Sequence, residues 1–223
     1  MSALQAVLFD NDGTLVDTHD LLLDSFRHAT RSVLGEVIPD ARLMAKVGQP
    51  LAVQMWDFTD DADVHDELLR VYRAYNESVH DDRISLFPGT REALERMRDA
   101  GLKLGVVTSK MHRLAAHGLD VLGVAEFFDC VVGADDCARH KPDPDPVVLG
   151  ARLVEADPAQ CAYVGDSPFD IQAGNAAGML TAAVTWGMFD EGVLRAERPG
   201  LTCGRFDELA DALLEEERRA HGR

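Results

Sequence analysis

Two aspartates lie two positions apart near the start of the chain, in the stretch Val-Leu-Phe-Asp-Asn-Asp-Gly-Thr-Leu at 7–15. The apolar run predicts a buried strand that ends at Asp10, and Gly13 predicts a turn after it. Because residues two apart in an extended chain point to the same side, we expect Asp10 and Asp12 to converge. Such close carboxylates repel each other unless they share a proton or a cation. Mg²⁺, which prefers oxygen ligands, suits this arrangement.

Two other interpretations fit part of this stretch. Asp, Asn and Gly are common turn formers, so the segment alone is also compatible with a turn that has no chemical role. A calcium-binding loop of the helix-loop-helix type needs glycine at its sixth position. Counting from Asp10, that position is Leu15, which argues against a calcium loop.

Two later stretches place phosphate-binding groups where strands are predicted to end. Thr108 and Ser109 follow the apolar run 104–107, and hydroxyl and amide groups at such a turn can hold a phosphoryl oxygen. Capping of the next helix would explain Thr-Ser equally well. Lys141 lies beside three alternating prolines, which stiffen the chain and fix where its ammonium points.

A third stretch adds carboxylates at another predicted strand end. Asp166 follows the apolar run 161–164, and Asp170 lies four residues later. Gly165, between the strand and Asp166, permits close approach of the backbone. The carboxyl ends of parallel strands are where such folds bind ligands, so these residues are candidates for the same site as Asp10.

Strand-like and helical runs alternate from residue 88 onward. The predicted strands, besides the one that ends at Asp10, are 103–108, 129–132, 161–164 and 180–185. The predicted helices are 90–100, 111–122, 146–155, 168–177 and 206–218. This alternation predicts the α/β class, with a parallel sheet covered by helices on both faces.

Residues 16–86 interrupt the alternation. Apolar side chains recur there at helical spacing, as in Leu22, Phe26, Ala29 and Val33, so this segment is predicted to be an all-helical insert. We expect a catalytic core at 1–15 and 87–223 and a helical cap domain at 16–86. Both connections lie near the predicted site, which favours a lid over a rigid decoration.

Composition limits the classes of partner. The chain has 223 residues, 46% of them hydrophobic, and a formal net charge of -17. Such acidity disfavours nucleic acid, although a cation and a lysine can still attract a small anion. The sequence offers no membrane-spanning run, no secretory signal and no C-x-x-C pair among its four cysteines. We therefore expect a cytoplasmic protein that binds neither nucleic acid nor membrane.

The ordered set of motifs resembles that of the haloacid dehalogenase superfamily. The motifs are Asp10-x-Asp12-Gly-Thr, Thr108-Ser109, Lys141-Pro and Gly165-Asp166-x-x-x-Asp170. The resemblance implies a Rossmann-like core with a helical cap inserted after the first motif. Within the superfamily, the stretches 86–89, 140–144 and 177–178 resemble the phosphoglycolate phosphatase branch. The stretches 47–50, 72–76, 135–136 and 184–186 resemble its inorganic pyrophosphatase members.

The resemblance also implies a role for each motif residue. Asp10 would be the nucleophile on phosphorus, and Asp12 would protonate the leaving oxygen and later accept a proton from water. Mg²⁺ would be bound by the carboxylates of Asp10 and Asp166 and the backbone carbonyl of Asp12, with Asp170 in support. Thr108, the Ser109 amide and Lys141 would bind the phosphoryl oxygens.

The expected function is a Mg²⁺-dependent phosphatase that hydrolyses a small phosphate monoester, such as phosphoglycolate, or pyrophosphate. An acid at Asp12 argues against a dehalogenase, whose reaction needs no protonated leaving group. A sugar phosphomutase is a second interpretation, although the basic cap loop of such enzymes is not visible here. A third is a binding protein that has kept the fold without activity. The partner would be a small phosphorylated metabolite or pyrophosphate, and the protein a monomer or homodimer.

Substrate choice is expected to depend on the cap. The turn at Gly48-Gln49-Pro50 is the candidate for a loop that enters the site, since it is compact and its amide can hydrogen-bond a leaving group. It could equally be only a helix connector. Further candidates near the end of the cap are Tyr75, Asn76, His80 and Arg83.

Overall fold

The computed structural model of the chain describes residues 4–221. The strands in chain order are β1 (Ala6–Phe9), β2 (Val16–Asp17), β3 (Ser85–Leu86), β4 (Lys103–Val107), β5 (Cys130–Val132), β6 (Cys161–Gly165), β7 (Leu180–Val184) and β8 (Leu201–Cys203). Six of them form one sheet in the order β5-β4-β1-β6-β7-β8. All neighbouring pairs in this sheet are parallel, as the alternating sequence pattern predicts.

The helices lie between these strands, except the last, which follows β8. In chain order they are α1 (His19–Leu34), α2 (Asp40–Leu43), α3 (Leu51–Met55), α4 (Ala62–Arg83), α5 (Thr90–Asp99), α6 (His112–Val121), α7 (Asp145–Leu153), α8 (Pro168–Ala176), α9 (Glu191–Ala196) and α10 (Phe206–His221). Helices α5 and α10 pack on one face of the sheet, and α7 and α8 pack on the other. The predicted α/β class is therefore confirmed.

The side chains of β1 point alternately into two hydrophobic layers, one on each face of the sheet. Val7 and Phe9 belong to the layer under α5 and α10, whereas Ala6 and Leu8 belong to the layer under α7 and α8. All four side chains are fully buried. Since alternate residues of a strand point to opposite faces, a continuous apolar run is what a strand covered on both sides requires.

The segment between β2 and β3 contains α1 to α4 and has a hydrophobic cluster of its own. Phe26 of α1, Met55 of α3, and Leu68 and Tyr72 of α4 are among its buried members. Helix α1 ends at Gly35, whose φ of 69° is left-handed, and α4 begins at Asp61, whose carboxylate accepts two backbone N–H groups. The role of this insert as a mobile cap domain stays a prediction.

Some short elements differ from the sequence-based prediction. The ends of the insert pair as an antiparallel ribbon, Val16 with Leu86 and Asp17 with Ser85, so the segment 16–86 is not entirely helical. Strand β8 and helix α9 were also not predicted, because runs of three and six residues are too short for a periodic pattern to show. Within residues 4–221, no helix is long and apolar enough to cross a membrane.

Candidate active site

Asp10 follows the last residue of β1, at the carboxyl edge of the sheet. Its backbone N–H donates to the carbonyl of Val164 at 2.8 Å, which extends the pairing of β1 with β6 by one residue. Its carboxylate is buried and accepts a hydrogen bond from Lys141 Nζ at 2.9 Å. Burial raises the pKa of Asp10 to about 7, although the Lys141 ammonium opposes this shift. Asp10 is therefore poised between its neutral and ionised forms near neutral pH.

Lys141 is 3% exposed and lies among oxygen atoms. Its Nζ donates to Asp10 Oδ1, to Asp170 Oδ1 at 2.6 Å and to the Tyr163 hydroxyl at 3.0 Å. Burial by itself would lower the pKa of Lys141, but the carboxylates of Asp10 and Asp170 raise it well above its ordinary value. The side chain is thus a fixed ammonium at the base of the site.

Asp166 follows β6 and faces the turn after Asp12. Its Oδ1 accepts from the Thr14 hydroxyl at 3.1 Å and its Oδ2 from the Met188 N–H at 2.8 Å. Burial, followed by the nearby charges of Asp170 and Asp10, raises the pKa of Asp166 well above its ordinary value. Gly13 has a φ of 83°, and a Cβ there would lie 2.2 Å from Asp166 Oδ2, so the turn requires glycine.

Three buried carboxylates form a candidate metal centre. Oxygen atoms of Asp10, Asp166 and Asp170 all lie within 4.8 Å of one another. Asp170 already accepts from protein donors at both oxygens, from Lys141 at Oδ1 and from Ser167 N and Oγ at Oδ2, at 3.0 and 2.6 Å. Carboxylate oxygens are the ligands that Mg²⁺ prefers. The ion would offset the negative charge of the three carboxylates that Lys141 alone does not balance.

Asp12 lies at the more open side of the site. Its carboxylate is 16% exposed and accepts from Lys110 Nζ at 3.0 Å and from Asn11 Nδ2 at 3.1 Å. Sequence reasoning missed Lys110, although it directly follows the Thr108-Ser109 motif. The sequence did offer one signal for Lys110, namely that it lies just after the end of a predicted strand.

Thr108 and Ser109 follow β4 and connect the sheet to the insert. Thr108 is buried, and its Oγ1 accepts from the Lys110 N–H at 3.2 Å. Ser109 Oγ donates to the carbonyl of Gly48 at 2.6 Å. The loop predicted to enter the site thus contacts the site directly.

A chamber of about 260 Å³ lies between the sheet edge and helices α1, α3 and α4. Asp10, Asp12 and Lys110 line its floor, and Gln49 and Asn76 are among the polar residues of its cap side. The other residues predicted near the end of the cap lie elsewhere. Tyr75 stacks on His28, Arg83 pairs with Asp24 at 2.7 Å, and His80 contacts α6.

Tyr163 is a second residue that sequence reasoning missed. It is fully buried within β6, and its hydroxyl donates to the carbonyl of Val107 at 2.8 Å and accepts from Lys141. A tyrosine inside an apolar strand is typical of the hydrophobic core, so nothing in the sequence indicated a role for Tyr163 in the site. Its hydroxyl helps to hold the ammonium of Lys141 in place.

Comparison with known proteins agrees with this geometry. Residues 7–184 match the family described as haloacid dehalogenase-like hydrolase. A protein of Bacillus velezensis named pyrophosphatase PpaX is 34% identical over 204 residues, which cover 92% of this chain and 94% of that protein. The pyrophosphatase PpaX of Bacillus pumilus is 32% identical and covers 93% of this chain and 95% of its own length.

A solved structure shows the same overall arrangement. A haloacid dehalogenase-like hydrolase of Streptococcus pneumoniae superimposes with a TM-score of 0.85 at 26% identity. The match covers 95% of this chain and 99% of the other, so it includes the helical insert as well as the sheet.

Proposed function

The chain belongs to the haloacid dehalogenase-like hydrolases, and from this membership we propose that it is a Mg²⁺-dependent phosphatase that forms an aspartyl-phosphate at Asp10. The observation that carries the proposal is the placement of Asp10. Its carboxylate lies against Lys141 and opens into a chamber that Asp12 also lines. A nucleophile, a cation and an acid are thus within reach of one bound phosphoryl group.

The first half-reaction transfers the phosphoryl group to Asp10. One carboxylate oxygen forms a bond to phosphorus as the bond to the leaving oxygen breaks. Thr108 and the Ser109 amide would hold phosphoryl oxygens, and Lys141 would do so in exchange for one of its three present hydrogen bonds. Mg²⁺, held by Asp10, Asp166 and the backbone carbonyl of Asp12, would neutralise phosphoryl charge. Asp170 orients Lys141 through the contact at 2.6 Å.

Asp12 handles the proton in both half-reactions. It protonates the oxygen that leaves, and its carboxylate then accepts a proton from the water that attacks the aspartyl-phosphate. Its position on the chamber side of Asp10 supports this role, since leaving group and water must both reach the phosphorus from the chamber. Lys110, at 3.0 Å, holds the Asp12 carboxylate in place.

Pyrophosphate is the substrate we favour. Both Bacillus relatives carry the name pyrophosphatase, and they match this chain over more than nine-tenths of its length. The leaving group of pyrophosphate is itself an anion, and the chamber presents Lys110 and Arg73 to it. These two cations would offset the charge that develops as the bond to the leaving phosphate breaks.

A small phosphate monoester such as phosphoglycolate is the second candidate. The cap side of the chamber includes Leu22, Phe26 and Leu51, which offer an apolar surface to a leaving group. An organic leaving group could use that surface, whereas a leaving phosphate could not.

Phosphate release from a panel of compounds tests these proposals. The panel contains pyrophosphate, phosphoglycolate, a hexose phosphate and p-nitrophenyl phosphate, each with Mg²⁺ and with EDTA. We expect release to require Mg²⁺, to be fastest with pyrophosphate, and to fall by about a thousandfold or more in Asp10→Asn, because that variant lacks the nucleophile.

Asp20→Asn is the matched control, since Asp20 is an exposed aspartate of α1 outside the chamber, and it should keep wild-type rates. Full activity in Asp10→Asn would contradict the proposal. Isomerisation of the hexose phosphate without phosphate release would instead support a phosphomutase.

A further inference from the structure

A group of two histidines and one aspartate lies away from the chamber, where the insert meets the sheet domain. His80 and Asp81 are near the end of α4, and His117 is on α6. Asp81 Oδ1 lies 2.8 Å from His80 Nδ1 and 2.9 Å from His117 Nε2. One carboxylate thus joins two imidazoles that come from different helices.

The three side chains differ in exposure in a way that suits a ligand site. The side chain of His80 is 4% exposed, whereas those of His117 and Asp81 are about half exposed, at 49% and 52%. The buried ring packs on α6, where a Cβ at Gly118 would lie 3.3 Å from His80 Cε1. One ligand position is therefore rigid, and the other two can adjust and are open to solvent.

The carboxylate of Asp81 lies against both imidazole rings. An ionised carboxylate beside two imidazoles is a donor set that divalent transition metals bind well, whereas Mg²⁺ prefers oxygen ligands alone.

We propose that His80 Nδ1, a carboxylate oxygen of Asp81 and His117 Nε2 bind a divalent transition-metal ion, with Zn²⁺ as the representative case. One possible ligand atom from each of the three residues lies within 4.8 Å of the other two. Metal–ligand bonds of about 2.0–2.2 Å require only small movements of the two exposed side chains. Three protein ligands leave a position for water.

Other histidines whose side chains the structure describes do not offer this combination. His19 lies beside Asp20, His65 beside Asp66 and His112 beside Asp136, each with a single imidazole per carboxylate. Within the part of the chain that the structure describes, only the group at Asp81 brings two imidazoles to one carboxylate.

Binding there would link the insert to the sheet domain. Helix α4 belongs to the insert, and α6 lies between β4 and β5. Glu77 and Arg113, one turn earlier on the same two helices, already form an ion pair at 3.2 Å. A metal ion would add a stronger link at this contact, so it should hold the two helices together and limit opening of the insert.

Zn²⁺ titration of the metal-depleted full chain by calorimetry tests the proposal. Excess Mg²⁺ is present throughout, so that the carboxylates around Asp10 are not free to bind Zn²⁺. We expect one Zn²⁺ per chain. In His117→Ala the affinity should fall at least about tenfold, because a metal ligand is lost.

His19→Ala is the matched control, since His19 also lies beside an aspartate but has no second imidazole, and it should bind Zn²⁺ as the wild type does. Thermal unfolding checks that both variants fold. Equal Zn²⁺ affinity in the wild type and His117→Ala, or no binding by the wild type, would overturn the proposal. Because the measurement does not use turnover, its outcome is independent of the phosphatase assay.

Discussion

The site holds three buried carboxylates and one buried ammonium, so its chemistry depends on what else balances the negative charge. Lys141 is the ammonium in contact with Asp10 and Asp170, and Asp166 lies close to both carboxylates. Burial makes ionisation of Asp10 and Asp166 costly, and one ammonium cannot compensate for three carboxylates. The proposed Mg²⁺ would complete the balance, so its binding and the ionisation of Asp10 should be coupled.

This coupling predicts a pH dependence of Mg²⁺ binding. The pKa of Asp10 is raised to about 7 from 3.8, so without metal the folded protein keeps this proton up to near-neutral pH. Mg²⁺ must displace the proton, and its apparent affinity should be about tenfold weaker at pH 6 than at pH 8. In the metal-free protein, the free energy of unfolding should therefore fall as the pH rises from about 4 to about 7. Over this range the folded protein keeps the Asp10 proton, whereas the unfolded chain has lost it.

Calorimetry in two buffers of different ionisation enthalpy measures both the affinity and the number of protons released. The same experiment on Asp10→Asn is the comparison, because the amide at position 10 has no proton to displace. Fewer protons should be released by this variant, and those that remain would come from Asp166, whose pKa is also raised. A Mg²⁺ affinity that is constant between pH 6 and pH 8 in the wild type would contradict the coupling.

The residues brought together at the site were largely predictable from the sequence. Asp10, Thr108 and Asp166 each follow an apolar run, and the ends of parallel strands meet at one edge. Lys110 was missed because an isolated lysine after a motif looks like solvated surface. The partner of Ser109 Oγ, the Gly48 carbonyl, required the three-dimensional position of the cap loop.

The loop that carries Gly48 is the element through which the insert contacts the site. Gly48 has a φ of 102°, and a Cβ there would lie 2.8 Å from Ser167 Oγ and 3.1 Å from Phe169 Cδ2. A side chain is therefore excluded both by backbone conformation and by close packing.

Gly48→Ala should displace this loop from the sheet edge. We expect a KM several-fold higher and faster cleavage of the loop by protease, because the hydrogen bond from Ser109 is lost or lengthened. Steady-state kinetics and limited proteolysis measure the two effects.

Gly35→Ala is the control for this variant, since Gly35 is also left-handed, with a φ of 69°, but a Cβ there meets nothing within 4 Å. It should cost stability without changing KM. An unchanged KM in Gly48→Ala would mean that the loop has no part in substrate binding.

Element length decides which parts of the fold the sequence reveals. The runs at β1, β4 and β6 are four or five buried residues each, and the sequence predicts all three. The ribbon of β2 and β3 has two residues per strand, and its pairing is set by the packing of the chain around it. Such short pairings leave no periodic pattern to detect.

The whole molecule is strongly acidic, yet its proposed substrate is an anion. The net charge is -17, yet the chamber contains Lys110 and Arg73, with Lys141 below its floor. The proposed metal ion, together with these cations, would offset the carboxylates of Asp10 and Asp12 where the substrate enters. The cytoplasmic location and the monomeric or homodimeric state stay predictions from the sequence.

Mg²⁺ should stabilise the whole chain, because the proposed binding site exists only in the folded protein. At a concentration one hundred times the Kd, linkage predicts about 2.7 kcal/mol of added stability. Thermal unfolding with increasing Mg²⁺ should show a rising Tm in the wild type and a much smaller rise in Asp166→Asn, which lacks one proposed ligand. The same rise in both proteins would place the binding of Mg²⁺ elsewhere.

The proposed mechanism requires that the Asp10 carboxylate bond to phosphorus beside a divalent ion. A crystal structure of the protein soaked with Mg²⁺ and beryllium fluoride, which mimics a phosphoryl group on a carboxylate, would show this bond. We expect beryllium bonded to an Asp10 oxygen, with fluorides near Lys141 Nζ and Thr108 Oγ1, and Mg²⁺ between Asp10 and Asp166. Fluoroberyllate bound to another residue, or Mg²⁺ far from Asp166, would contradict it.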